Sequence, residues 1–287
     1  MIKRITETAP RWRKVPRDEY CKAEAYLRAH EKICVTASAR FLHIAENRGH
    51  VWRLNGPEGD IRSLLVHSRR TLFPVFNKAS GVPGPRFLNR FLGKVPIHAL
   101  QGMREDVDLL EILMEEQGYY ASERIEYDLM CLDSTPEQST FKLGPANLTL
   151  RAPAQGDGEA LFALQAAYEQ EEVLPENAEF NPAVCRYNLE HILSSEQILV
   201  ACLDGQVVGK INTSAQSFTR YQIGGVYVRP DYRNLGIGAK MTAFFAGILL
   251  SHGKGVTLFV KKRNAAARSV YRRAGFSVIA DYRITYY

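Results

Sequence analysis

The sequence predicts an α/β protein with a mixed sheet, arranged in two domains. Three observations carry this reading. A glycine loop, Arg233-Asn234-Leu235-Gly236-Ile237-Gly238, joins an apolar β-rich run at 221–228 to a helix-like run at 239–250. A second strand-to-helix step follows, from 256–260 into 264–274. The same strand–helix–strand series occurs once before, at 97–100, 106–117 and 125–131. With 287 residues and 46% hydrophobic content, the chain is long enough to bury a full core and to form two domains.

In the first half, residues 17–30 read as a helix, with Tyr20, Ala23 and Leu27 on one apolar stripe. Residues 51–54 and 61–67 read as a hairpin around Asn55-Gly56-Pro57-Glu58-Gly59. Residues 71–76 form a third strand. Pro74 cannot donate to a ladder, which places that strand at a sheet edge. A strand at 97–100 leads into the helix at 106–117, where Val107, Leu110 and Met114 recur at helical spacing and Gly118 ends the run. Residues 125–131 are a further strand. The polar stretch from Asp133 to Thr140, with Pro136 inside it, has the pattern of a linker. The organisation expected is a first domain at 1–135, a linker at 136–145 and a second domain at 146–287.

The second half begins with a strand at 148–151 and a helix from Asp157 to Tyr168. Asn181 caps another helix, with Pro182 at its first position and Leu193 near its end. Residues 197–203 and 206–214 form a hairpin around Asp204-Gly205, a strong two-residue turn signal. The glycine loop after 221–228 turns backbone N–H groups toward one point, and the helix dipole adds positive potential there. That geometry holds a pyrophosphate. Arg-x-x-Gly-x-Gly is not the dinucleotide fingerprint, and it lacks the Gly-Lys-Ser/Thr ending of a P-loop. A plain surface turn would use the same glycines. Downstream, Asn264 is a good N-cap, the alanines after it are strong helix formers, and Gly275 suits the C′ position. Ala267 and Tyr271 share one helix face. An amphipathic helix with Tyr271 half-buried in the core would look the same.

Taken together, Val226-Tyr227-Val228-Arg229-Pro230-Asp231-Tyr232-Arg233-x-x-Gly236-x-Gly238 and Asn264-x-x-Ala267-x-x-x-Tyr271-x-x-x-Gly275-Phe276 resemble the GNAT superfamily of acyl-CoA-dependent N-acyltransferases. The resemblance covers residues 146–287, about half the chain, and implies a GNAT fold there. The echo of its closing elements at 97–131 reads as a degenerate GNAT-like first domain. That domain has no Arg-x-x-Gly-x-Gly, and Gly81-Val82-Pro83-Gly84-Pro85 stands in its place. Two prolines remove N–H donors, so this domain is not expected to bind CoA in the same way.

The resemblance implies acetyl-CoA as co-substrate, no metal, and direct transfer of the acyl group to an amine on a small molecule or a protein. The amine attacks the thioester through a tetrahedral oxyanion. Backbone N–H groups of Asn234, Leu235, Gly236, Ile237, Gly238 and Ala239, with Arg233 and Lys240, would hold the pyrophosphate. Val226, Tyr227 and Val228 would pair with the pantetheine arm, and Asn264 would hydrogen-bond it. The leaving thiolate resembles that of free cysteine, pKa ~8.5, and Tyr271 falls where the family places the phenol that protonates it. The amine must lose a proton from a pKa near ~10.4. Many relatives carry a glutamate for this on the strand corresponding to 221–228. Here that strand has no carboxylate, and Gln222 can only position a water. Glu171 and Glu172, beside Glu169, are the nearest acidic candidates for the base. A solvated acidic loop would read the same way, so the base stays open.

Composition narrows the alternatives. The net charge of +6 is scattered rather than blocked, and no nucleic-acid motif accompanies it, so an anionic ligand such as CoA is preferred to nucleic acid. Five cysteines, odd in number and without a C-x-x-C pair, read as reduced thiols of a cytoplasmic protein. The first eight residues do not read as a signal peptide. The longest apolar run, at 241–250, is too short to span a bilayer. The seven histidines show no metal-ligand spacing. Two other functions fit the same features: a non-catalytic acyl-CoA sensor, and a tandem-domain aminoacyl-type transferase. Intact CoA motifs disfavour the second.

Overall fold

A computed structural model describes residues 12–56, 58–77, 83–84, 87–88, 95–136, 144–174 and 179–287. In chain order the first half contains β1 (Arg13–Lys14), α1 (Tyr20–His30), α2 (Val35–Leu42), β2 (His50–Asn55), β3 (Ile61–Ser68) and β4 (Thr71–Val75). After these come β5 (Ala99–Met103), α3 (Arg104–Glu115) and β6 (Glu123–Leu132). The second half contains β7 (Leu148–Arg151), α4 (Gly158–Tyr168), a π-helical turn (Glu169–Val173), α5 (Pro182–Ser195), β8 (Ile198–Leu203) and β9 (Gln206–Gln216). It ends with β10 (Arg220–Val228), α6 (Ile237–Ser251), β11 (Gly255–Lys261), α7 (Ala265–Arg273) and β12 (Ser277–Tyr286).

The chain forms two compact units, residues 1–127 with 280–287, and residues 128–279. In the second unit, β7, β8, β9 and β10 are successive antiparallel neighbours, and β10 then runs parallel to β11. The first unit repeats this order. There β1, β2, β3 and β4 are successive antiparallel neighbours and β4 runs parallel to β5. Helices α1 and α2 fall between β1 and β2 as α4 and α5 fall between β7 and β8. Helix α3 follows β5 as α7 follows β11. The degenerate GNAT-like reading of the first half therefore has a matching topology. The closing strands trade places: residues 282–286 of β12 lie antiparallel to β5 in the first unit, and residues 128–132 of β6 belong to the second.

Local chemistry explains the element ends. Asn181 Oδ1 accepts the N–H groups of Ala183 and Val184, 3.0 and 3.2 Å away, and so caps α5 as expected. Asn264 caps α7 through the N–H of Ala267 at 2.9 Å. Gly275 closes α7 with φ 92°, and the N–H of Phe276 returns 3.0 Å to Tyr271 O. Asp204 and Gly205 take φ 50° and 78°, the two left-handed residues of a tight hairpin. The edge position expected of β4 is corrected. It sits between β3 and β5, but its ladder to β5 covers only Thr71 and Leu72, so Pro74 has no N–H to supply on that side. The Gly81–Pro85 segment and the linker lie largely outside the described residues.

The core of the second unit packs α6 on the sheet. Met241, Phe245 and Leu249 meet Ile223 of β10 and Leu258 and Val260 of β11 in one buried cluster. Each such side chain contributes about 1.5–3 kcal/mol on burial. This anchors α6 at the end of β10, which is what positions the site. Among the described residues no helix is long and apolar enough to cross a membrane.

Candidate functional site

Strand β10 loses its regular pairing at two places. Its register with β9 shifts between Gln222 and Ile223 and again between Gly224 and Tyr227. Its parallel ladder with β11 covers only Arg220–Ile223 against Gly255–Leu258. Beyond Ile223 the two strands part. Residues Gly224 to Val228, including Val226 and Tyr227, thus leave the β11 ladder. A strand released from one neighbour offers main-chain groups to an extended ligand.

The chain then turns through Arg229–Arg233 into α6. Asn234 and Gly236 take φ 63° and 79°. Gly236 is the N-cap of α6, and no side chain caps it. The N–H of Lys240 is the first to find its helical partner, Gly236 O at 3.1 Å. The N–H groups of Ile237, Gly238 and Ala239 precede it and have no acceptor within the helix. The positive end of a helix dipole therefore opens at the end of β10. Gly238 adds a steric observation. Its φ is not positive, and an added Cβ would meet Val270 and Val228 only at 3.6–3.9 Å, an ordinary contact. The fold does not need glycine there, whereas a phosphate approaching the backbone would. These residues fit a pyrophosphate. Leu235 is exposed beside them.

Two carboxylates of the π-helical turn face this region. Glu171 binds Arg233 through both guanidinium nitrogens, at 2.9 and 2.8 Å. Arg233 also donates to Val228 O at 3.0 Å and lies over the ring of Tyr227. The Arg233 hydrogen bond holds the Glu171 carboxyl below its ordinary range. Glu172 accepts from Asn264 Nδ2 at 2.9 Å and faces Lys261 Nζ at 3.4 Å. The structure thus brings Glu171 and Glu172 onto Arg233 and Asn264, side chains of the two motifs. Gln222 donates to Ser214 Oγ at 3.1 Å.

Tyr271 is buried on α7, with Phe276 edge-on to its ring. Burial first, then the fields of Tyr168 and Glu172, push its phenol above its ordinary range. It therefore remains protonated at neutral pH.

One cluster escaped the sequence reading. Lys210, in the middle of β9, is fully buried. Its Nζ donates to Gly225 O and to Asn212 Oδ1, both at 3.0 Å, and lies 5.1 Å above the ring of Tyr168. The backbone of Gly225 also lies against the Tyr168 hydroxyl. Glu169 sits nearby and accepts from Gln165 at 2.8 Å and from Asn188 at 3.1 Å. The local sequence carried little signal: β9 mixes apolar and polar residues, and Lys210 is one of several polar positions along it. Among the described residues no group of His, Cys, Asp and Glu could hold a metal ion.

Residues 160–276 match the Acetyltransferase (GNAT) family. No curated protein matches the sequence. Solved structures share the fold across nearly the whole chain. A Drosophila protein has a TM-score of 0.64 at 12% identity, covering 96% of this chain and 98% of that one. A tandem GNAT protein from the clavulanic acid biosynthesis pathway has a TM-score of 0.59 at 11% identity, covering 96% and 97%. The GCN5-related N-acetyltransferase from Sphaerobacter thermophilus has 0.55 at 18% identity, covering 96% and 95%.

Proposed function

We propose, from the premise that residues 160–276 form a domain of the GNAT acetyltransferase family, that the protein transfers an acyl group, acetyl in the simplest case, from CoA to an amine. One observation carries this reading: β10 parts from β11 after Ile223, and the turn that follows β10 leads into a helix N-terminus that no side chain caps. The first can receive an extended amide-bearing arm, and the second its diphosphate. Acetyl-CoA would supply the activated acyl group and the thiol leaving group.

The residues then divide the work. Arg233, Lys240 and the N–H groups from Asn234 to Ala239 bind the diphosphate. Val226, Tyr227 and Val228 orient the arm, with Asn264 beside it. Tyr271 holds a proton for the departing sulfur, and its burial keeps that proton in place until a thiolate forms. Glu171 and Glu172 are engaged with Arg233 and with Asn264 and Lys261. A carboxylate held low by an arginine is a poor base. In this reading neither glutamate is the base, and the acceptor amine arrives neutral after losing its proton to solvent. Turnover should then rise with pH toward the pKa of the amine.

The test is thiol release from acetyl-CoA with a panel of primary amines. Amine-dependent release supports the transferase. Tight acetyl-CoA binding without release with any amine would instead make the protein a sensor.

A further inference from the structure

We propose that Lys210 is a positioning residue: together with Tyr168 it locks the Gly225–Val226 peptide of β10 at the point where β10 leaves β11. The proposal rests on the transferase reading given above, because that peptide borders the place where the acyl group would lie.

The geometry is unusual for a strand. A lysine ammonium has three N–H donors and no acceptor. Around Lys210 Nζ stand three acceptors: Gly225 O, Asn212 Oδ1 and the face of the Tyr168 ring. The Tyr168 hydroxyl also lies against the backbone of Gly225. Side chains thus hold the backbone of one residue at the second register shift of β10. A trans peptide keeps the C=O of Gly225 antiparallel to the N–H of Val226, so fixing the first aims the second. The contact leaves no room for a side chain. Gly225 takes φ 56°, and an added Cβ would fall 2.0 Å from Asn212 Oδ1 and 2.8 Å from Lys210 Nζ.

Stability alone gives no reason for this arrangement. Burying an ammonium costs several kcal/mol, and a well-packed apolar side chain is commonly as stable in its place. Val208 and Ile211, buried on the same strand, show what β9 uses elsewhere. What a methylene chain cannot do is hold a carbonyl. The ionisable groups facing Lys210 are Glu169 from the π-helical turn, Cys185 from α5 and Tyr168 from α4. Burial lowers the lysine pKa to about 7 against the opposing fields of Glu169 and Cys185. Above that pH the amine has two donors for three acceptors, and its hold on Gly225 O weakens.

Two variants of the full chain test the lock. Lys210→Met removes the donors at similar volume, and Tyr168→Phe removes only the hydroxyl that lies against the Gly225 backbone. Each is measured for acetyl-CoA affinity by calorimetry, for thiol release with an amine acceptor, and for amide exchange across residues 224–227. Affinity should stay within about twofold while kcat falls by about 10²-fold, the cost of roughly 1 Å of misplacement. Exchange across 224–227 should quicken in both variants. The wild-type kcat profile should show a step near pH 7 that Lys210→Met lacks. Unchanged kcat, or equal losses in affinity and kcat, would overturn the proposal. If Lys210→Met does not fold, the Tyr168→Phe result decides. If wild-type protein releases no thiol with any amine, the transferase reading fails by itself. Unchanged exchange in the folded variants would then still overturn the lock.

Discussion

The guanidinium of Arg233 is bound by both carboxylate oxygens of Glu171, at 2.9 and 2.8 Å. The next residue, Glu172, accepts from Asn264. One π-helical turn therefore holds a side chain from each of the two motifs. Such turns are frequent at functional sites. A diphosphate that uses Arg233 must compete with Glu171 for it. Glu171→Gln should raise acetyl-CoA affinity by up to about fivefold, since an exposed ion pair contributes about 0.2–1 kcal/mol. Calorimetry checks this, and a weaker-binding variant would show that the pair builds the site rather than competing for it.

Gly238→Ala separates stability from binding. Gly238 lies in the first turn of α6, where alanine is still the better helix former, and the added Cβ meets only ordinary contacts. The variant should unfold at a higher temperature yet bind acetyl-CoA more weakly, because the methyl occupies the approach to the helix N-terminus. Unchanged affinity would remove the diphosphate from this turn.

Tyr271→Phe keeps the ring and its packing against Phe276. As the proton donor to sulfur, the hydroxyl should be worth roughly 10²–10⁴-fold in kcat, with acetyl-CoA affinity little changed. Near-wild-type turnover in steady-state assays would reduce Tyr271 to a packing residue.

Stability should also carry a carboxylate signature. Asp157 binds Arg151 through both oxygens, at 2.6 and 3.0 Å, and accepts the N–H of Ala154 at 2.7 Å. The Arg151 bond holds its pKa below the ordinary value. A depressed carboxylate stabilises the fold above its unfolded pKa and loses that contribution as pH falls through the folded one. Asp157→Asn should therefore cost about 1–2 kcal/mol at pH 7, allowing for the partial exposure of Arg151. The gap to wild type should close below about pH 4. Urea midpoints at pH 7 and pH 3 measure it. A gap of constant size would mean that the charge contributes nothing.

What the sequence made legible was local chemistry. Asn181, Asn264, Gly275 and Asp204-Gly205 cap or turn the chain through neighbours a few residues away, so their roles can be read directly. Residues whose meaning depends on distant partners were hidden. Glu171 and Glu172 read either as candidate bases or as a solvated acidic loop, because their partners Arg233 and Asn264 lie 62 and 92 residues away along the chain. Lys210 falls in the hairpin strand at 206–214, and nothing in its neighbours singles it out. Its burial follows from α4, the π-helical turn and α5 covering that face, which no short-range pattern reports. The closing strand, β12, falls in the span 146–287 expected as the second domain. Its pairing with β5 joins residues nearly two hundred positions apart, and local periodicity carries no information about such a partner.

Calorimetric titration of the intact protein with acetyl-CoA, followed by thiol release on adding primary amines, bears most directly on the transferase reading. The expected result is one acetyl-CoA per chain, bound in the second unit, and release that requires both an amine and the Tyr271 hydroxyl. No binding, or release equally fast in Tyr271→Phe and without an amine, would contradict it.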